Sequence, residues 1–310
     1  MVLGANGPIG AAIQSLLEST DRPYIMVSRA PSGQNSHAAD REDPAAVLDL
    51  IHAYKVNSVI DVIAYTEHAS VALLKAVETE IDRYVMLSSA DVYRNYGLLN
   101  RKERGVAQSI LTEESPLRLS RFPYRGDTAR MPDDPDFWMD DYDKIPIENA
   151  VKDMRCSWSI LRLPMVYGSH GKLNRLSWMM TPMQNQSATF EIDTATLNWV
   201  TTYAFIDNVA AAIIHATAHS GAANQVFNIT DSQPSPHRDW INALAEISGW
   251  RGRLVETPAR VVSPHNPLDW TVPLAIDGTR FYQRTGFQPP VARIDCLRRV
   301  WLEARQDANV

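Results

Sequence analysis

The chain has 310 residues, 45% of them hydrophobic, and a formal net charge of −6. That length suits one large α/β domain or two lobes sharing a core. It holds no basic block, which argues against a nucleic-acid partner, and no run of about 18 apolar residues, which argues against a membrane span.

Met1-Val-Leu3 leads into Gly4, Gly7 and Gly10, and Ile9, Ala12, Ile13, Leu16 and Leu17 then recur at helical intervals. The pattern predicts strand, glycine turn, helix. Gly4 takes the sharp turn, Gly7 lets a pyrophosphate approach the backbone, and Gly10 lets the helix pack on the sheet. The helix N-terminus offers free N–H groups to phosphates, so a dinucleotide site is expected. The alternative is a glycine turn that binds nothing. No leader segment is expected, because the first residues already form the turn. A strand of three residues is short against the usual 5–6 or so. Either the start of the chain is late or the strand pairs over few residues, with weak cofactor affinity as one consequence.

Tyr24–Val27 reads as the second strand, followed by Ser28 and Arg29. An acid here would meet a ribose 2′-OH, whereas arginine suits a 2′-phosphate. NADP(H) is therefore the expected cofactor, with NAD open and a solvated loop arginine as the alternative. Asp40 and Asp43 are candidates for the adenine end or a ribose. Asp43-Pro44 also reads as the start of a helix carrying Val47, Leu48 and Ile51. Ser58–Ile63 is a buried strand and Ala69–Val77 a helix. Arg83–Ser89 is a strand ending in hydroxyls, at the end that faces the ligand crevice in doubly wound sheets. Trp158–Leu163 is a further strand, ended by Pro164.

Tyr93 to Asp141 lacks clear periodicity and holds Pro116, Pro123, Pro132, Pro135 and an acidic-aromatic patch from Asp133 to Asp141. Its length marks a lid or a plain surface insertion, and Phe137 and Trp138 suggest partial docking. Beyond it, Val209–His219 reads as a helix and Gln225–Ile229 as a strand. Ser235-Pro236 reads as the N-cap and first position of a helix through Ile247. Ile276–Thr285 and Arg293–Glu303 read as closing helices. The expected fold is α/β: a Rossmann-like doubly wound parallel sheet with a smaller mixed C-terminal substrate lobe. The nucleotide domain takes residues 1–165, with an insertion at 94–141, and is completed by 203–230. Residues 166–202 and 231–310 make the smaller lobe.

Several motifs in order resemble the extended short-chain dehydrogenase/reductase family, in its NAD-dependent epimerase/dehydratase branch. They are Gly4-x-x-Gly7-x-x-Gly10, Leu87-Ser-Ser-Ala-Asp-Val-Tyr93, Leu161-Arg-Leu-Pro-Met-Val-Tyr-Gly168, Phe205-Ile-Asp-Asn-Val-Ala210, Val226-Phe-Asn-Ile229 and Asp277–Gly286. The resemblance spans nearly the whole chain. It implies an enzyme that uses a hydroxyl residue, a tyrosine and a lysine for proton transfer at a carbinol. The hydroxyl falls on Ser89. Asp140–Glu148 occupies the Tyr-x-x-x-Lys-x-x-x-Glu stretch, so Lys144 and Glu148 keep their places and Asp140 stands where the tyrosine belongs. The resemblance puts Gly4, Asn6, Gly7, Pro8, Ile9, Gly10, Arg29, Asp40, Ala64, Lys144, Leu163, Pro164 and Val166 against the cofactor. It puts Asp91, Tyr93, Met165, Trp199 and Thr201 against the substrate.

Asp140 is a carboxylate with an ordinary pKa of about 3.9, against about 10 for tyrosine, so it cannot replace a phenol without retuning. Tyr142 lies off the helical phase of Lys144. Pro146 belongs in a helix's first turn, so the helix begins near Asp143 and Tyr142 is free to swing into the site. A neighbouring ammonium is then expected to lower its pKa. Tyr93 and Tyr96 are further candidates, and all of these tyrosines being structural is the alternative. In the family, nucleotide-sugar enzymes carry Asn where Met165 stands and Arg where Thr201 stands. Their absence favours a smaller, more apolar, non-nucleotide-sugar substrate.

His215 and His219 share a helical face without a third ligand, so no metal is expected. Cys156 and Cys296 match no metal or redox spacing, which fits a reducing cytoplasm. A small-molecule substrate is the expected partner, and a homodimer is left open. Carbonyl–alcohol redox, or transient oxidation coupled to epimerisation or dehydration, is the leading reading. Non-redox isomerase, cyclase or lyase chemistry and a non-catalytic dinucleotide-binding protein are the rivals.

Overall fold

A computed structural model describes residues 1–168, 173–259 and 268–307. Seven parallel strands form the central sheet: β1 (Val2–Leu3), β2 (Met26–Ser28), β3 (Ser36–Ala38), β4 (Ser58–Asp61), β5 (Arg83–Ser89), β6 (Ser157–Leu163) and β11 (Gln225–Asn228). Their spatial order is β11-β6-β5-β4-β1-β2-β3. The chain winds outward one way from β1 and the other way from β4, so the topological switch lies between these two, where ligands bind in open α/β sheets. β1 is only two residues long, yet it pairs on both sides, Val2 with Met26 and with Ile60.

Helices cover both faces because the buried strands are apolar on both. On one face lie α1 (Pro8–Glu18), α8 (Ile206–Ala218) and α10 (Thr279–Thr285), which bury Ile13, Leu17, Val209, Ile213 and Phe281 against the sheet. On the other lie α2 (Pro44–Tyr54), α3 (Glu67–Val77) and α5 (Lys144–Lys152), with Val47, Leu73, Val77, Ile147 and Val151. Gly4 leaves β1 at φ +94°, in the left-handed region that favours glycine. At Gly10 a Cβ would lie 2.6 Å from the Ala5 carbonyl oxygen, so α1 approaches the turn more closely than any side chain allows.

The C-terminal part gathers β7 (Met165–Tyr167), β8 (Thr189–Asp193), β9 (Val200–Thr201), β10 (Tyr203–Phe205), β12 (Ser235–Pro236) and β13 (Arg253–Thr257) into three two-stranded pairs. With α6 (Ser177–Gln184), α7 (Thr194–Asn198), α9 (His237–Ser248) and α11 (Arg293–Asp307) they enclose a separate apolar cluster around Tyr167, Met179, Phe190, Trp240 and Leu297. Ser235-Pro236 is not the opening of a helix. It pairs antiparallel with Val200–Thr201, and α9 starts one residue later with Pro236 as its N-cap. Among the described residues, no helix is long and apolar enough to cross a membrane.

The long insertion is built rather than loose. It opens with α4 (Arg94–Leu99) and ends in a 3-10 turn at Phe137–Asp140. Between them, arginines fasten it to the acidic stretch before α5. Arg118 donates to Asp143 at 3.2 Å, Arg121 to Asp143 at 2.6 Å and Arg125 to Asp141 at 2.7 Å, while Arg130 pairs with Asp140. The Arg118–Asp143 pair is buried.

Candidate active site

Two cavities open beside the C-terminal ends of the strands. The first, of about 550 Å³, lies at the switch point. Its wall holds Gly4, Asn6 and Gly7 from the glycine turn, Ser28 at the end of β2 and Arg29 after it, Asp40 after β3, and Tyr65 after β4. Gly7 is the N-cap of α1 and Pro8 its first residue, so no side chain blocks the free N–H groups of that turn. The Ser28 hydroxyl is buried without a partner, while Arg29 is exposed beside it. A hydroxyl and a guanidinium at the end of β2 suit a phosphate on a ribose. The Asn6 amide donates to the Ala30 carbonyl at 2.6 Å, tying the turn to the same loop. Of the other residues expected here, Pro8, Ile9 and Gly10 shape α1 behind the turn.

The second cavity, of about 760 Å³, lies beyond β5 and faces the C-terminal part. Ser89, Asp91, Leu163, Pro164, Met165 and Trp199 are on its wall. Leu163 and Pro164 thus adjoin this cavity, and Val166 is buried in β7. Asp91 is buried, and its Oδ2 accepts two phenols, Tyr142 and Tyr124, each at 2.9 Å. Its Oδ1 is buried with no partner. Burial raises the Asp91 pKa above the usual carboxylate value, against the opposing pulls of Arg118 and of the hydroxyl donors Tyr142, Tyr124 and Ser89. The Ser89 hydroxyl accepts from the Asp91 N–H at 3.3 Å, which holds it at the strand end.

Tyr142 stands behind Asp91, on the wall of neither cavity. It has left helical phase: Asp143 caps α5, which begins at Lys144 with Pro146 in its first turn, and Tyr142 pairs instead with Thr66 in an isolated bridge. Its pKa is not lowered as the sequence led us to expect. Burial and the Asp91 carboxylate push the phenol well above its ordinary value. Lys144 does not reverse this, because its ammonium lies 5.5 Å from the ring centroid and donates to the carbonyls of Ala64 at 2.7 Å and Leu87 at 3.0 Å. Burial lowers the Lys144 pKa to about 8.

Asp140 does not reach this cluster. The N–H of Arg130 donates to it at 2.7 Å and the Arg130 guanidinium pairs with it, which together hold its carboxyl below the usual range. Tyr93 is also elsewhere. Its hydroxyl donates to Asn228 at 2.5 Å and accepts from Arg162, within a buried group where Arg162 also binds Glu148 at 2.7 Å. Thr201 is buried off both walls, with its hydroxyl turned to the Leu274 carbonyl. Two contributors were missed in the sequence. Tyr124 comes from the insertion, and Tyr65 stacks on Trp138 with ring centroids 4.4 Å apart, over the Lys144 ammonium at 4.8 Å. Tyr65 and Trp138 both line the switch-point cavity. His215 and His219 stack at 5.0 Å at the end of α8, and His215 bonds the Thr285 carbonyl.

No protein-family model and no curated protein matches the sequence. Solved structures do. A UDP-glucose 4-epimerase from Thermotoga maritima, crystallised with UDP-glucose, is 18% identical at a TM-score of 0.68, covering 99% of this chain and 98% of its own. A short-chain dehydrogenase/reductase superfamily protein from Agrobacterium tumefaciens with bound NAD is 17% identical at a TM-score of 0.71, covering 99% and 97%. RMD from Pseudomonas aeruginosa, complexed with NADPH, is 16% identical at a TM-score of 0.66, covering 98% of each. The chain has the fold of these proteins from end to end.

Proposed function

We propose that this chain, with the extended short-chain dehydrogenase/reductase fold, is an enzyme of that family. It binds a nicotinamide dinucleotide and acts at a carbonyl or carbinol of a small organic substrate that is not a nucleotide sugar. The observation that carries this reading is the Ser89–Asp91 pair at the end of β5, on the wall of the larger cavity and backed by Tyr142. The glycine turn, the orphaned Ser28 hydroxyl, Arg29 and Asp40 fit the adenylate end of the cofactor. Ala64, Lys144, Leu163, Pro164 and Val166 are proposed toward its other end. Such a cofactor, when bound, supplies or accepts a hydride.

The protein's part is the proton. Asp91 Oδ1, buried and unpartnered, takes the proton of a substrate hydroxyl or returns it to a carbonyl oxygen. Ser89 orients that oxygen. Tyr142 and Tyr124 hold the other carboxylate oxygen and so fix which one faces the substrate. Asp140 takes no part. A panel of aldehydes and ketones, followed by the absorbance of the reduced nicotinamide, tests this. Oxidation of the nicotinamide is expected with at least one member.

NADP(H) is the proposed cofactor. Arg29→Ala is expected to weaken NADP⁺ by more than about 1.5 kcal/mol, the low end for a charge-assisted contact, and NAD⁺ hardly at all. Calorimetric titration of both dinucleotides measures the difference, and equal losses would remove the basis for the preference.

A second reading rests on Tyr65. The Tyr65–Trp138 stack covers Lys144, and the two cavities share no wall residue. If that stack stays closed, the Asp91 cluster works without hydride transfer, as an isomerase, cyclase or lyase. Turnover without nicotinamide absorbance change is the result that favours it.

A further inference from the structure

We propose that the larger cavity receives a substrate built on a planar aromatic ring and bearing an anionic group, a carboxylate or a phosphate, which Arg175 binds. This rests on the reading of that cavity as the substrate site. The carrying observation is the way its aromatic wall is assembled. Trp199 meets Trp270 at 86° and His237 at 70°, and Trp178 meets His237 at 67°. Each such contact sets the edge of one ring on a face of another, and Trp199 and His237 are buried, so the ring surface open to a guest is that of the exposed Trp178 and the half-buried Trp270, where aromatic guests gain beyond simple burial.

The polar atoms of His237 and Trp199 are already taken by the protein. The His237 Nδ1 bonds the Thr196 carbonyl at 3.0 Å, so it carries the proton, and Nε2 accepts from the Tyr203 hydroxyl at 3.1 Å. Burial lowers the His237 pKa to about 4, which leaves this ring neutral. Trp199 Nε1 donates to the Val272 carbonyl at 2.8 Å. The corner therefore offers carbon faces and no charge. A sugar, with a hydroxyl on nearly every carbon, would lose its water there without replacement bonds.

Arg175 is the only cation among the described residues of this wall. Its Nε donates to the Val166 carbonyl at 3.0 Å, which aims the side chain, and among the described residues neither terminal nitrogen has a hydrogen-bond partner. A guanidinium offers paired donors matched to carboxylate or phosphate oxygens. At the reacting end, Asp91 borders the same cavity, with its Oδ1 buried and unpartnered. A second anion beside it is disfavoured, so the guest's anionic group belongs with Arg175.

The test is calorimetric titration of the full chain with 2-naphthoate, 2-naphthyl phosphate, 2-naphthamide and decahydro-2-naphthoate. One of the two aromatic anions is expected to bind about tenfold or more tighter than the neutral amide, the worth of one charge-assisted contact. Which anion wins identifies the group. The decahydro compound should bind several-fold more weakly than naphthoate. Arg175→Met should remove the anion's advantage and leave amide binding unchanged. Trp178→Ala, at a half-exposed position, should weaken every aromatic ligand with the circular dichroism spectrum unchanged. Equal binding of the saturated and aromatic acids, no effect of Arg175→Met, or tighter binding of UDP-glucose than of any naphthyl compound overturns the proposal. These readouts are binding alone, so they stand or fall separately from nicotinamide turnover.

Discussion

Asp91→Asn is expected to lower kcat by about a hundredfold or more, the usual scale of a general acid–base contribution, with dinucleotide affinity unchanged. The amide keeps the shape and can still accept from Tyr142 and Tyr124, so the variant removes the proton site and little else. The pH profile separates this role from a structural one. Burial raises the Asp91 pKa, so the ionised base appears only as pH climbs through a value above the ordinary carboxylate range. Alcohol oxidation should rise with pH along that limb and carbonyl reduction should fall along it, and Asp91→Asn should abolish the limb in both directions. Tyr142→Phe should cost less in kcat. Its hydrogen bond favours the ionised carboxylate, so its loss should move the limb to still higher pH. Asp140→Asn should leave the profile as it is. Stability runs the other way. Asp91, with its folded pKa raised, contributes stability below its unfolded pKa that is lost as pH rises through the folded value. Full activity in Asp91→Asn, with a large loss in Tyr142→Phe, would return the proton to the phenol.

The second large effect is on folding. Asp143→Ala is expected to destabilise the protein by about 3–5 kcal/mol, the range for removing one partner of a buried ion pair. Asp143 is fully buried and accepts from Arg118 at 3.2 Å, from Arg121 at 2.6 Å and from the Ile145 N–H at 3.4 Å as the cap of α5. Its loss strands the Arg118 guanidinium in the interior and frees the start of the helix. Arg121 is half-exposed, so its share is small. The denaturant midpoint at constant slope measures the effect. Asp143→Asn, which keeps the cap, should recover part of it. A change under about 0.5 kcal/mol, the range of ordinary surface substitutions, would mean that the insertion holds itself without this carboxylate.

The sheet was legible because its strands are short apolar runs punctuated by glycine, proline and hydroxyl residues, and that punctuation is local. The glycine turn and the helix start at Asp143, forced by Pro146, were legible for the same reason. What the sequence hid was pairing across distance. Nothing near Asp91 announces that Tyr124, 33 residues on, shares its oxygen with Tyr142. Nothing in the insertion's sequence marks Arg118 as the partner of Asp143, on which it lies buried. Tyr93 and Thr201 sit in segments that border the larger cavity, but their side chains turn into the interior, a choice of face that segment position alone does not decide. Ser235-Pro236 carries a helix-start signature and was drawn into a strand pair by Val200–Thr201. The nearby Lys144 points to a lowered Tyr142 pKa, but burial and the Asp91 carboxylate, which the sequence around Tyr142 does not display, outweigh it.

The late start of α5 also bears on how this site relates to the pattern it departs from. Position 140 lies in a 3-10 turn, four residues ahead of a helix that begins with the lysine itself. A tyrosine installed there would not stand one helical turn from Lys144. It would replace the carboxylate that holds Arg130 and leave that guanidinium without its partner. The missing phenol is thus no isolated lesion that a single codon could repair. Restoring it would require removing Pro146, extending the helix backward and dismissing the arginines that now grip residues 140–143, all together. The arrangement at 140–148 and the Tyr-x-x-x-Lys pattern it departs from are in this way separated by several coupled changes rather than by one, and the arginines of the insertion are what couples them.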